Sequence, residues 1–328
     1  MTDIGLPAAR GEISAGMFEV LRGDPGRPGE LPVGTARQAD PYGDDLQLAL
    51  YLCYELHYRG IAGVSDSWEW NPALLELRGE LAARFLDALR ADVEPHADVD
   101  SALDSLLVEP VNGNGLSHFL RDEGQLWQLR EYAALRSLYH LKEADPEAWA
   151  IPRLTGRAKA GLVAVEYDEY GGGRADRMHA KLFADLMADL ELDNRYGHYL
   201  EASTAQMLAV VNLMSAFGLH RSLRGALAGH YATVEVTSSP VCRRMAQAME
   251  RIGAGPAAVR FYTEHVEADA VHEQLIRHEV IGGLLKDEPA LEPDVVFGID
   301  ATVWVEDRFG EALLTAWREG RSSLHVPL

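Results

Sequence analysis

Apolar residues recur at intervals of three and four along most of the chain, which is the spacing of amphipathic helices. The stretch DLQLALYLCYELHYRGIAG at residues 45–63 keeps this spacing and closes on glycine. The stretch PALLELRGELAARFLDALRADV at residues 72–93 opens with proline, which is favoured in the first turn of a helix. No run of alternating apolar and polar residues is long enough to predict a sheet.

The same spacing predicts further helices downstream. They cover residues 115–143, 155–170, 174–190, 202–218, 220–237, 240–252, 256–284 and 308–319. Residues 22–43 are dense in proline and glycine, so we expect an extended surface arm there. The predicted fold is all-α, with an N-terminal arm over 1–44, a helical segment over 45–112 and a helical core over 113–328.

Composition and charge narrow the expected partners. Hydrophobic residues make up 47% of the chain and charged residues 25%, as in ordinary soluble globular proteins. The formal charge of −21 repels phosphate backbones and anionic lipids, so we expect neither nucleic acid nor a membrane as a partner. The two cysteines, Cys53 and Cys242, form no CxxC motif, and the first residues lack the features of a signal peptide. We therefore expect a cytoplasmic protein.

The stretch HVEADAVH at residues 265–272 is the first candidate for a metal-binding site. At 100° per residue, Asp269 and His272 lie with His265 in a stripe about 60° wide. The two histidines are about 10.5 Å apart along the helix axis, which is long for one ion and suits two, with Asp269 between them. The alternative is a solvated polar face, with Val271 and Leu275 on the buried side.

A second cluster lies in VEYDEYGGGRADRMH at residues 165–179. Four carboxylates precede His179, namely Glu166, Asp168, Glu169 and Asp176. In a continuous helix Glu169 and His179 would be about 15 Å apart and about 80° out of phase, so sharing a metal centre requires a break at the glycine triplet. One alternative is a helix cap followed by a plain turn. Another is the pair Asp176 and His179, whose spacing imitates the Glu-x-x-His device of ferritin-like bundles.

Two further carboxylates are candidates. Glu235 in GHYATVEVTSSP faces inward if Tyr231, Val234 and Ser238 do, and a carboxylate on a buried face needs a partner. Its alternative is an exposed or capping residue. Glu143 in HLKEADP is the other candidate, and its alternative is the polar end of a helix.

Together these residues resemble the haem-oxygenase-like di-iron oxidases and oxygenases, the iron-containing redox enzymes of actinobacterial type. The elements that carry the resemblance are Glu169, His179 ten residues later, Glu235, and His265-x3-Asp269-x2-His272. The unequal gaps fit as well, with 86 residues from His179 to His265 and 30 from Glu235 to His265. The resemblance covers residues 45–328 and is strongest over 125–285.

The resemblance implies a bundle of about seven core helices like that of haem oxygenase, without haem. It implies that the metal-binding and catalytic residues are Glu169, His179, Glu235, His265, Asp269 and His272. Some members of the family add a carboxylate from an earlier helix, and Glu143 is where that additional ligand would fall.

The resemblance further implies two iron ions, O2 as co-substrate and an external reductant. The implied activity is oxidation of a small organic substrate, amino-acid-like or an amine, by N-oxygenation, desaturation or C–C cleavage in a biosynthetic pathway. The expected partners are this small-molecule substrate and a second copy of the chain in a homodimer. The alternative function is a ferritin-like protein that stores or scavenges iron and has no organic substrate.

Overall fold

The structure, a computed structural model, describes residues 4–108 and 113–328, with the side chains of residues 267–270 outside the description. Helices make up most of these residues, and the described ranges contain no β-strand, which confirms the predicted all-α class. Within the same ranges no helix combines the length and apolarity that crossing a bilayer requires.

The helices follow one another with short connections. In chain order they are α1 Glu12–Leu21, α2 Val33–Ala36, α3 Asp44–Glu55, α4 Pro72–Asp92, α5 Val99–Leu106, α6 Leu116–Asp122, α7 Leu126–His140, α8 Asp145–Ala148, α9 Gly156–Glu169, α10 His179–Asp189, α11 Ala205–Leu219, α12 Arg224–Arg251, α13 Pro256–Gln274, α14 Gly282–Asp287 and α15 Glu292–Arg318. A π-helix, Leu275–Ile281, joins α13 to α14.

The first 44 residues contain two helices in addition to extended chain. Ile13, Met17 and Leu21 are spaced by four and therefore lie on one face of α1, which is buried and packs on α3. The hydrophobic core takes members from each of the three predicted segments. The division at residues 44 and 112 stays a prediction.

Two helix boundaries differ from those expected. The single helix predicted over 115–143 is two helices, α6 and α7, because the chain turns at Gly124, where a Cβ would lie 2.7 Å from the backbone of Leu120. The two helices predicted over 220–237 and 240–252 are one, since α12 continues through Pro240. Packing of α12 on α13 and α15 outweighs the cost of an interior proline, about 3 kcal/mol.

The C-terminal helices also differ from the predicted ranges. α15 begins at Glu292, far before the predicted start at residue 308. Val295, Val296 and Gly298 have low helix propensity, and tertiary packing against α12 compensates. Gly298 and Gly229 allow this packing, because a Cβ on either would overlap the backbone of the opposite helix. α12 therefore lies in close contact with both α13 and α15, and it forms the centre of the bundle.

Candidate metal centre

Two groups of carboxylate and imidazole side chains meet inside the bundle. One contains Glu143, His179 and His265, and the other contains Glu169, Glu235 and His272. Within each group the donor atoms lie within 4.8 Å of one another. The six residues come from the turn after α7, the end of α9, the start of α10, the middle of α12 and from α13. All are buried except Glu143, which is nearly so.

The two histidines of α13 belong to different groups, which agrees with their separation along the helix. His265 donates its Nδ1–H to the Phe261 carbonyl over 2.7 Å, so its Nε2 carries the lone pair. That Nε2 is 3.9 Å from Glu143 Oε1. His272 Nδ1 lies 3.2 Å from Glu235 Oε2 and 3.5 Å from Glu169 Oε1. Each imidazole is therefore available to a separate ion.

The turn at the glycine triplet brings the two ligand groups together. α9 ends at Glu169, and Gly171, Gly172 and Gly173 adopt left-handed φ values of 69°, 62° and 77° before α10 begins at His179. Glycine adopts this conformation without the steric cost that a side chain brings. The turn places His179 Nδ1 2.7 Å from Glu169 Oε2. Since Glu169 Oε1 also approaches His272, this carboxylate reaches both groups.

Substitution of Gly171 tests the importance of this turn. A Cβ at Gly171 would lie 2.6 Å from the backbone of Arg177 and Met178, at a φ that disfavours side chains. We expect Gly171→Ala to move His179 away from Glu169 and to reduce the iron bound after anaerobic loading by about half, since one group loses a ligand. The measurement is iron per chain. Gly173→Ala is the control, because it places alanine at a similar left-handed φ of 77° while its Cβ would meet nothing closer than 4.0 Å. Equal iron content in both variants would contradict the prediction.

The structure does not form the ferritin-like pair. Asp176 is exposed, and its carboxylate lies 3.6 Å from Arg174, so the alternative in which Asp176 and His179 bind one ion is wrong. The side chain of Asp269, the predicted ligand between the two histidines, lies outside the described residues. Its role as a ligand stays a prediction.

The donor set fits iron. Three imidazoles and three carboxylates make a nitrogen and oxygen environment suited to iron or manganese, and no cysteine belongs to either group. The buried atoms His265 Nε2 and Glu143 Oε2 form no hydrogen bond among the described residues. A bound cation would supply the partner that such buried atoms otherwise lack. The residues therefore fit two metal ions, one in each group.

The pKa values reflect the same crowding of buried charge. Burial raises the pKa of Glu235 to about 7. Burial and the neighbouring His179 lower the pKa of His265 to about 4, which keeps its imidazole in the neutral form that binds metals. Burial lowers the pKa of His272, but the carboxylates of Glu235, Glu169 and Asp168 outweigh it and raise the value to about 9.

Two side chains that orient the ligands were not assigned this role from the sequence. Asp168 accepts a hydrogen bond from His272 Nε2–H over 3.3 Å, which fixes the ring with Nδ1 toward Glu169 and Glu235. His140 Nδ1 lies 2.9 Å from Glu143 Oε1. Asp168 is one of the carboxylates before the glycine triplet, but sequence spacing gives no sign of which imidazole it meets.

A cavity of about 340 Å³ adjoins both groups, and Glu143, Glu169, Glu235 and His265 are among its lining residues. Tyrosine, valine and phenylalanine side chains form much of the remaining wall. The cavity lies within the size range of small-molecule sites. The arrangement can therefore hold two ions beside a space for a small organic molecule.

The comparisons with known proteins agree with this geometry. A family model described as iron-containing redox enzyme matches residues 130–307, which is more than half of the chain and includes every predicted ligand. No curated protein matches the chain. The match and the all-helical architecture confirm the predicted haem-oxygenase-like fold. The chain belongs to the iron-containing redox enzyme family.

Proposed function

We propose that the protein is a non-haem di-iron oxidase or oxygenase that uses O2 to oxidise a small organic substrate, amino-acid-like or an amine. The observation that carries the proposal is the pair of ligand groups joined by Glu169. Two ions bridged or flanked by a shared carboxylate are a common arrangement in enzymes that activate small molecules. N-oxygenation, desaturation and C–C cleavage in a biosynthetic pathway are the proposed outcomes.

The chain's own residues would hold and orient the reacting groups. When bound, two iron ions supply the reduction of O2 and the oxidation of the substrate, with electrons from an external reductant. Glu143, His179 and His265 would hold one ion, and Glu169, Glu235 and His272 would hold the other, with Asp269 as a further proposed ligand. Phe261 and Asp168 fix the imidazole orientations of His265 and His272. The mostly apolar cavity beside the ligands gives the substrate a place next to the ions.

The cavity also favours this proposal over the alternative of iron storage. A storage protein needs a path for iron, whereas a mostly apolar space of about 340 Å³ beside the ligands suits an organic molecule. The storage alternative predicts a large shell-like assembly in gel filtration and iron oxidation that no organic compound affects. We propose a homodimer instead, which the same gel-filtration run tests.

The test of the proposed function is anaerobic loading with Fe(II), followed by O2 and a panel of amines and amino acids. We expect about two iron ions per chain, one for each ligand group. We also expect one class of compounds to accelerate the formation or decay of an optical transient. His265→Ala should lose iron and the transient together. Full iron content in that variant, or a wild type that binds no iron after loading, would contradict the assignment.

A further inference from the structure

The cavity beside the ligands extends along α12. Glu235 and Cys242 both line it, and seven residues of helix separate them by about 10 Å on nearly the same face. Five residues at the end remote from the ligands, Tyr132, Arg136, Val241, Glu306 and Asp307, also line a second cavity of about 450 Å³. None of the described metal ligands lines the second cavity. These five residues therefore form the boundary through which the inner cavity meets the outer one.

The charged groups at this boundary disfavour an anion. The Arg136 guanidinium is held in a bidentate pair by Glu306, with distances of 2.8 Å from Nη1 to Oε1 and 2.5 Å from Nη2 to Oε2. It also lies over the Phe309 ring, 4.7 Å from the centroid. A substrate carboxylate would have to displace Glu306 from a strong, geometrically matched pair. The one arginine among the described lining residues of the inner cavity is thus already neutralised.

Two other groups that line the inner cavity have no such partner. The Asp307 carboxylate forms no hydrogen bond or ion pair with the described residues, and it lies at the outer end of the inner cavity. Asp307 is exposed at this end, and desolvation by its surroundings together with the nearby carboxylates of Glu311 and Glu306 raises its pKa, so this position has an excess of negative charge. The hydroxyl of Tyr262, a residue only 3% exposed, lines the inner cavity and has no hydrogen-bond partner among the same residues.

We propose that the boundary is a recognition subsite for the protonated amine of the substrate. The ammonium group binds Asp307, the Tyr262 hydroxyl offers a further acceptor inside, and the carbon chain extends through the cavity toward Glu235. This inference rests on the proposed function and deepens it. Because about 10 Å of helix separates the two ends, the oxidised atom lies at the end of the substrate remote from this ammonium nitrogen.

The test is calorimetric titration of the ferrous-loaded full chain under anaerobic conditions at pH 7, where a primary amine is protonated. The ligands are hexylammonium, 1-hexanol and hexanoate, which have equal chain lengths and differ in head-group charge. We expect hexylammonium to bind about tenfold more tightly than hexanoate, with 1-hexanol between them, because like charges oppose each other at the subsite.

Variants of the boundary residues test whether these residues cause the preference for hexylammonium. Asp307→Asn should weaken hexylammonium about fivefold and leave 1-hexanol unchanged. Asp287→Asn, which removes the same charge from an equally exposed position that lines neither cavity, should change nothing. Glu306→Gln should release Arg136 and shift the preference toward hexanoate.

Three results would overturn the subsite, namely no measurable binding of hexylammonium, equal or tighter binding of hexanoate, or an unchanged hexylammonium affinity in Asp307→Asn. Iron content is measured on the same samples. Full iron with a reversed preference overturns the subsite and leaves the metal centre intact. Absent iron overturns the metal centre, while the amine titrations still decide the subsite.

Discussion

Replacement of Glu169 with alanine is expected to impair both metal positions at once. Its carboxylate lies 2.7 Å from His179 Nδ1 and 3.5 Å from His272 Nδ1, so it reaches a ligand of each group. Without this carboxylate, each metal position would lack an oxygen that lies close to one of its histidines, and both positions would bind iron more weakly. We expect iron after anaerobic loading to fall below about one per chain, and O2-dependent turnover to fall more than about 100-fold.

The comparison with Glu143→Ala makes this prediction specific. Glu143 belongs to one group, so its loss should spare the ion held by Glu169, Glu235 and His272. Asp176→Ala is the matched control, since Asp176 is an exposed carboxylate in the same segment and should keep full iron. If Glu169→Ala retained as much iron as Asp176→Ala, Glu169 would not be a shared ligand.

Replacement of Lys142 with methionine is expected to be the most destabilising change outside the metal centre. Lys142 Nζ lies 2.6 Å from Glu55 Oε2, with both side chains at most 1% exposed. The pair links α3 to the turn that carries Glu143. Removal of the lysine leaves a buried carboxylate without its cation, which costs about 3–5 kcal/mol. The measurement is the free energy of unfolding of the metal-free protein in denaturant.

A double variant separates the lost attraction from the stranded charge. Lys142→Met combined with Glu55→Met removes both charges, and we expect most of the stability to return because an apolar pair avoids the desolvation cost. Lys181→Met is the control, since Lys181 forms an exposed pair with Asp185 and should change stability by less than about 1 kcal/mol. A double variant as unstable as Lys142→Met would show that shape, and not the stranded charge, explains the loss.

The helical class and the stripe on α13 could be predicted because they depend on local periodicity. The 3.6-residue repeat places His265 and His272 on one face whatever surrounds them. The pattern also showed that Glu169 and His179 could meet only through a break at the glycine triplet. Sequence could not specify the path of that break, because three successive left-handed residues redirect the chain in a way that spacing does not describe.

Contacts between distant segments could not be predicted from the sequence for a different reason. Arg136 and Glu306 are 170 residues apart, and Asp168 and His272 are 104 apart, so only the packing of the bundle brings each pair together. The predicted helix ends were wrong where tertiary packing outweighed helix propensity. α12 continues through Pro240, and α15 begins in a stretch rich in valine, because both helices bury a long face against each other.

The continuous course of α12 has a consequence for how this scaffold can change its substrate. One uninterrupted helix carries both Glu235 and the far wall of the cavity, so the helix sets the distance between them. Each inserted residue would lengthen this distance by about 1.5 Å. It would also rotate the far wall by about 100°, which would turn the lining side chains away from the cavity. Longer or shorter substrates are therefore more readily accommodated by exchanging side chains such as Val241 and Cys242 than by altering the backbone.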